Sequence, residues 1–370
     1  MNTLLVTGGA GFIGSHFIRY ALRIEPEIRI INLDALTYAG NLDNVKDAAQ
    51  SDRYTFVHGD INDRDLVSQV LRDHSIDTIV HFAAETHVDR SIHGPGEFIR
   101  TNVTGTFTLL DSARQYWLGE PGTTARNVRF HHVSTDEVYG SLLPDEPPWT
   151  EEAPYRPNSP YAASKASSDH LVRAYGHTYG LPCTISNSPN NYGPCQFPEK
   201  LLPLTILNAS DNQPIPVYGD GGNIRDWLHV DDHCEAVWLI LKNGTPGSTY
   251  HIGGGEQFTN LDIVRKVCAL VDRFRPSPEQ TPRDRLITFV ADRPGHDRRY
   301  ALDSGKIRRE LGWKPRRLFE SGLMETVEWY LANRDWVYSL RSKPDYEHWI
   351  RINYTERTDL RGTAGGTGIQ

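Results

Sequence analysis

Residues 131–140, HHVSTDEVYG, end an apolar run on three reactive side chains in a row, Thr135, Asp136 and Glu137. Two adjacent carboxyl groups at the mouth of a strand repel each other and are costly to desolvate. Placed in one dry pocket they split their pKa values, one staying a neutral acid while the other ionises and serves as a base. Their titration then belongs to the pair. That division of labour puts an acid and a base side by side, and the rest of the chain must say for what chemistry. The same dipeptide can also serve as a turn or helix cap, so its neighbours must decide.

Two further motifs bear on the choice. In YAASK, Tyr161 and Lys165 stand four apart, which on a helix gives them one face. An ammonium beside a phenol favours the phenolate, a base for a sugar hydroxyl. Bringing a phenol from about 10 towards 7 takes about 4 kcal/mol, which Lys165 and a positive nicotinamide ring together can supply. Alone, the pair reads as an exposed helical couple. The third motif is TGGAGFIG, Thr7 to Gly14, after the first strand. Gly8, Gly11 and Gly14 permit a tight turn, close approach to a pyrophosphate and close helix packing, with the helix N-terminus facing the phosphates. Phe12 and Ile13 lie inside this loop. Asp34 ends the second strand about 20 residues on, where a carboxylate accepts from ribose hydroxyls and repels a 2′-phosphate. The cofactor expected is NAD rather than NADP. Asp60 and Ile61, ending the third strand, fit an adenine-edge contact or a plain turn.

These groups need a scaffold that aims strand ends at one crevice. TLLVTGG, IRIINLD, YTFVHGD, TIVHFAA and VRFHHVST are short apolar runs, each followed by a turn and a segment of helical length. Alternation of strands and helices predicts an α/β fold, a doubly wound parallel (Rossmann) sheet. After about residue 185 Pro/Gly-rich pieces predict a smaller, discontinuous C-terminal substrate-binding domain. The expected division is 1–184 for the dinucleotide domain, with 222–253 returning to it, and 185–221 plus 254–350 for the substrate domain. The Gly/Thr-rich residues 356–370 are expected to be disordered.

Bulk properties narrow the field. The chain has 370 residues, ample for a large core, and a net charge of −8. Scattered Lys and Arg with a negative balance argue against nucleic-acid or membrane-surface binding. No apolar run reaches the roughly 18 residues of a membrane span. The N-terminal apolar residues belong to a strand rather than a signal peptide. The four cysteines, Cys183, Cys195, Cys234 and Cys268, are far apart and suggest neither a metal site nor disulfides. A cytoplasmic protein without metal is expected.

With HFAAETHVDRS, NNYGPCQFPEKLLPL, DGGNIRDWLHVDD and ADRPGHDRRYALD added, the chain from residue 1 to about 335 resembles the nucleotide-sugar 4,6-dehydratases, which are extended short-chain dehydrogenases. The Asp-Glu pair after Thr135 carries the specificity, because related 4-epimerases and decarboxylases share the glycine loop and Tyr/Lys but lack it. The resemblance implies dehydration of a nucleoside-diphosphate hexose, most closely dTDP-glucose, to a 4-keto-6-deoxy sugar, with NAD oxidising C4 transiently. It assigns Tyr161, Thr135 and Lys165 to C4 oxidation, Glu137 to the C5 proton and Asp136 to the leaving C6 hydroxyl. It further implies cofactor contacts from Thr37, Ala83 and Thr101. For the substrate it implies Thr86, Asn190 and Arg225, the last two on the diphosphate. Glu199 and Lys200 fall near sugar and phosphate, Pro216 and Tyr218 on the base, and Asn260, Arg293 and His296 at the nucleotide end. A homodimer through helices near 97–117 and 161–178 is also implied.

The chain departs from the family pattern at Ser186, Asn187, Ser188 and Pro189, where a Thr-Arg-Cys-Ser-like run is usual, and at Cys195, where a Tyr is usual. The lost cation and the fixed φ of proline bear on cofactor and pyrophosphate contacts. A 4-epimerase or decarboxylase on the same scaffold is the rival reading. A non-catalytic NAD-binding scaffold is a third, and it has no need of Asp136, Glu137, Tyr161 and Lys165 together.

Overall fold

The computed structural model describes residues 1–119, 127–277 and 281–355; the tail expected to be disordered, 356–370, lies outside them. Twelve strands form three sheets: β1 (Thr3–Thr7), β2 (Arg29–Asp34), β3 (Tyr54–His58), β4 (Thr78–His81), β5 (Arg129–Thr135), β6 (Cys183–Ser188), β7 (Asn190–Tyr192), β8 (Ile215–Tyr218), β9 (Ile224–His229), β10 (Thr249–His251), β11 (Gln257–Thr259) and β12 (Ile287–Val290). The largest is seven-stranded, in the order β10-β6-β5-β4-β1-β2-β3, with every pair parallel. This is the doubly wound arrangement that the alternation of apolar runs predicts. The strand order reverses between β1 and β4, so a crevice opens above their C-terminal ends.

Period-two alternation explains why both faces of the sheet are covered. On β1, Leu4 and Val6 pack with Phe17, Ile18 and Trp238, while Leu5 packs on the other side with Ile31, Leu109 and Val172. Strand β6 carries a weaker signal, because Thr184 and Ser186 interrupt its apolar pattern. Their hydroxyls are satisfied by the two ring nitrogens of His131 on β5, at 2.9 and 3.1 Å. A buried strand can therefore be polar if its neighbour supplies the partners.

The helix that must carry Tyr161 and Lys165 runs from Pro160 to Tyr179. Ser159 caps it by accepting from the Ala162 N–H, Pro160 sits at its first turn, and Gly180 ends it at φ +69°. Facing it, residues Ile99–Gly105 form a π-helical stretch ahead of helix Thr106–Leu118. A Cβ at Gly105 would lie 2.5 Å from the end of the Ile61 side chain, so a larger residue there would have to move Ile61, which lines the cleft. Such bulges turn side chains towards functional clefts, here Thr101.

Residues 222–253 divide between the layers. Strand β9 pairs with β7 and β11 in a three-stranded sheet, whereas helix Val230–Asn243 packs on the large sheet and β10 forms its edge. The smaller sheets, including the β8–β12 pair, close over a second core of Leu202, Ile206, Val217, Trp227, Val267 and Tyr330. No helix among the described residues is long and apolar enough to cross a membrane.

Candidate active site

The crevice begins at Gly8, where the backbone turns at φ +71° and a Cβ would lie 2.7 Å from the Ala83 backbone. Gly11 is the N-cap of helix Phe12–Ile24, and a side chain at Gly14 would run into the Gly8 carbonyl oxygen. The loop thus lies flat on the sheet and presents the positive end of that helix to the cleft. Asp34 accepts from the Ala10 and Leu36 N–H groups, both at 2.8 Å. Burial pushes its carboxyl up and those two bonds pull it back. Its remaining lone pairs can take ribose hydroxyls. Phe12, Ile13, Thr37, Asp60, Ile61, Ala83, Thr86 and Thr101 line the same cleft. Asp60 is also ion-paired with Arg100 at 2.7 Å. A dinucleotide fits this donor set and shape.

At the far end of the cleft β5 delivers its three reactive residues. Thr135 caps the short turn Asp136–Tyr139 by accepting from the Glu137 N–H at 3.3 Å. Its hydroxyl lies 3.2 Å from Asp136 Oδ1, and Tyr161 lines the same end of the cleft. Asp136 is only 2% exposed, and its second oxygen has no hydrogen-bond partner among the described residues. Burial, then the Glu137 charge, push the Asp136 carboxyl well above the usual range. Glu137 is also raised by burial, but Arg293 and Arg225 oppose the rise. The pair is therefore polarised, with Asp136 the more strongly held neutral.

Tyr161 and Lys165 share the cleft, but they are not paired with each other. Lys165 Nζ donates to the Val133 carbonyl at 2.9 Å and lies 3.3 Å from His132 Nε2. Burial lowers its ammonium to about 8, against the opposing Asp169. The Tyr161 phenol is raised, by burial first and then by Glu137. Lysine alone does not poise this phenol, because its charge is turned onto the strand.

The residues matched to the nucleotide-sugar half fall into two groups. Asn190, Glu199 and Lys200 line the cleft itself. Glu199 is 1% exposed and ion-paired with Arg90 at 2.9 Å, while its Oε1 has no hydrogen-bond partner among the described residues. Lys200 donates to the Thr86 carbonyl at 3.0 Å. Behind Glu137, Arg293 pairs with Asp89 at 3.2 Å and stands 6.0 Å from the Tyr218 ring centre. His296 meets Tyr218 edge-on and holds Asp292 at 2.6 Å. Burial and Arg293 keep its imidazole down at about 4. Pro216 lies on β8 with Tyr218. The Arg225 guanidinium donates to the Ile224 and Asp297 carbonyls at 2.8 and 2.9 Å, over the Tyr300 ring. Asn260 opens a helix beside the Gly219–Gly222 turn, its N–H donating to the Asn223 carbonyl.

Sequence reasoning missed several supports. Asn32 accepts from the Gly9 N–H at 3.0 Å and so fixes the glycine loop; its place two residues before Asp34, on the same strand face, was the available signal. Asn187, at the atypical position, donates to the Thr135 carbonyl at 2.9 Å and braces the catalytic strand end. Asp169 gathers Ser134, Tyr155 and His132 beneath Lys165, a cluster spread too widely in sequence to read. Among the described residues, no group of three or more His, Cys, Asp or Glu side chains could hold a metal ion.

The family model described as GDP-mannose 4,6 dehydratase matches residues 5–326. The dTDP-glucose 4,6-dehydratase of Salmonella typhimurium is 52% identical over 362 residues, covering 96% of this chain and 99% of its own. Among solved structures, the dTDP-glucose 4,6-dehydratase of Streptomyces venezuelae with NAD bound is 50% identical at a TM-score of 0.82, covering 91% of this chain and 99% of its own. The Bacillus anthracis enzyme in complex with NAD is 44% identical at a TM-score of 0.81, covering 92% and 100%. With Thr135, Asp136, Glu137, Tyr161 and Lys165 gathered at the end of a dinucleotide cleft, and with identity of this depth over nearly the whole length, the chain belongs to the dTDP-glucose 4,6-dehydratase family.

Proposed function

We propose that this protein uses NAD to convert dTDP-glucose to its 4-keto-6-deoxy product with loss of water. The observation that carries the reading is the placing of Asp136 and Glu137 beside Thr135 and Tyr161 in one cleft, with the second Asp136 oxygen lacking a hydrogen-bond partner among the described residues. NAD, when bound by Gly8–Gly14 and Asp34, supplies an acceptor for the C4 hydride and returns that hydride to C6. Tyr161 takes the 4-hydroxyl proton while Thr135 holds that oxygen. Tyr161, which Lys165 alone leaves high, would be lowered towards the phenolate by a positive nicotinamide held in the cleft. Once C4 is a ketone, the C5 proton is acidic. Glu137, the less elevated carboxyl, removes it, neutral Asp136 protonates the departing C6 oxygen, and Glu137 gives the proton back to C5 as the hydride arrives at C6. The unpartnered Glu199 oxygen suits a sugar hydroxyl, and Lys200 and Arg293 suit the diphosphate. An epimerase needs no acid–base pair across C5–C6, so the rival reading leaves Asp136 and Glu137 without a task. Incubation with dTDP-, UDP-, CDP- and GDP-glucose tests the reading by mass spectrometry. Loss of water should appear foremost with dTDP-glucose; an unchanged mass with all four would contradict it.

Asp34 makes the cofactor choice checkable. Its buried carboxylate lines the cleft, where it would accept from ribose hydroxyls and repel a 2′-phosphate. Protein stripped of cofactor should regain activity with NAD, and recovery favouring NADP would overturn the assignment.

We also place the protein in the cytoplasm as a homodimer. Its described cysteines are all free and buried, which suits a reducing compartment. Ile99, Phe107 and Tyr179 are exposed at 51%, 38% and 50% on the π-helical stretch and on helices Thr106–Leu118 and Pro160–Tyr179. Exposed apolar and aromatic side chains on these elements fit a helix–helix seam between copies. Light scattering at micromolar concentration should give twice the chain mass; a monomer would contradict the dimer.

A further inference from the structure

The chain beyond residue 343 takes no part in the steps above, yet it reaches the nucleotide end of the site. Helix Pro344–Ile350 leads into a wider turn, Arg351–Thr355. The Trp349 indole packs edge-on to His87 and His93 at 5.5 and 5.7 Å, and lies 4.4 Å from the Arg90 guanidinium. Arg90 in turn lies 4.1 Å from the centre of the Tyr38 ring, which lines the cofactor cleft, and pairs with Glu199. Tyr346 donates to the Pro198 carbonyl, two residues before Lys200. This segment is thus clamped to both the cofactor loop and the sugar-facing loop.

Its end lies on Tyr218. Buried Asn353 donates from Nδ2 to the Tyr218 hydroxyl at 3.0 Å. The half-buried Tyr354 ring lies nearly parallel to that of Tyr218, with centroids 6.0 Å apart and planes 18° apart. Paired rings span 4.5–7 Å, so Tyr354 covers one face of Tyr218 as an ordinary aromatic pair. A planar pyrimidine brought to that face of Tyr218 meets Tyr354 as well.

We propose that residues 344–355 form the closing wall of the nucleotide-base subsite, with Tyr354 stacking on the pyrimidine of the bound nucleoside diphosphate. The proposal rests on the dTDP-glucose reading proposed above and on the base contact at Tyr218 that the family resemblance implies. Asn353 holds the Tyr218 hydroxyl, and the Trp349–Arg90 contact holds the wall against Glu199. Stacking of a base on an aromatic side chain is worth roughly five- to hundredfold in binding.

The test is calorimetric binding of dTDP to the full-length, NAD-loaded protein. Tyr354→Ala should weaken binding about tenfold and raise KM for dTDP-glucose more than it lowers kcat. Tyr354→Phe, which keeps the ring, should restore binding to within about twofold. Deleting residues 356–370, beyond the wall, should leave dTDP binding nearly unchanged. In the unaltered protein, saturating dTDP should slow amide hydrogen exchange across 344–355, a readout independent of any variant's folding. Equal or tighter dTDP binding by Tyr354→Ala, or unchanged exchange in that segment, would overturn the proposal. Failure of the unaltered protein to bind dTDP would overturn the base assignment itself and the wall with it.

Discussion

Glu137→Gln should stall the enzyme after its first step, with reduced nicotinamide accumulating on mixing with dTDP-glucose while product formation falls by roughly 10² to 10⁴. Glutamine keeps the size and polarity of the side chain but cannot accept the C5 proton. Oxidation at C4 relies on Tyr161 and Thr135 and is left intact. It should even become easier, because the Glu137 charge is among the causes that hold the Tyr161 phenol high. Rapid-mixing absorbance at the reduced-nicotinamide band measures the first step, and the 4-ketone assay measures the second. Normal turnover by Glu137→Gln would show that another group takes the proton.

Asp136→Asn should slow elimination by a similar factor, about 3 to 5 kcal/mol of barrier, while leaving the fold nearly as stable. Asp136 is held neutral already by burial and by Glu137, so a neutral amide of the same shape costs little. The Thr135 hydroxyl at 3.2 Å can still donate to the amide oxygen. What is lost is the acidic proton for the C6 oxygen. The two variants differ in a way that separates the roles. With Asp136→Asn, Glu137 still removes the C5 proton, so recovered sugar should pick up deuterium at C5 from heavy water. With Glu137→Gln it should not. Exchange in both, or in neither, would contradict the division of acid and base.

The parts of this site visible in the sequence were those packed into short contiguous motifs. Gly8 to Gly14, Asp34, Thr135 to Glu137, and Tyr161 with Lys165 each announce a local backbone need or a local chemistry. The strands that aim them are apolar enough to stand out. Strand β6 was hidden because Thr184 and Ser186 are made tolerable only by His131, a residue 53 positions from Thr184. Lys165 shows a different limit. Its spacing from Tyr161 is that of a pair, but the helix presents its ammonium to the Val133 carbonyl. Helical spacing fixes a face, and the neighbouring strand decides where the charge goes. Arg225 is expected on the diphosphate for its forked donors, and the structure adds that the same fork donates to the Ile224 and Asp297 carbonyls, which no motif announces. The Trp349–Tyr354 segment carries no motif at all. Its meaning comes only from folding back onto Arg90 and Tyr218.

The account stands on a hydride that leaves C4 and comes back to the same sugar at C6, between an acid at Asp136 and a base at Glu137. The most direct measurement uses dTDP-glucose carrying deuterium at C4, with the position of the label in the product read by NMR. The account predicts a 4-keto-6-deoxy sugar with the deuterium at C6, transferred within one active site. Deuterium lost to solvent, or a product that keeps it at C4 with all its water, would contradict it.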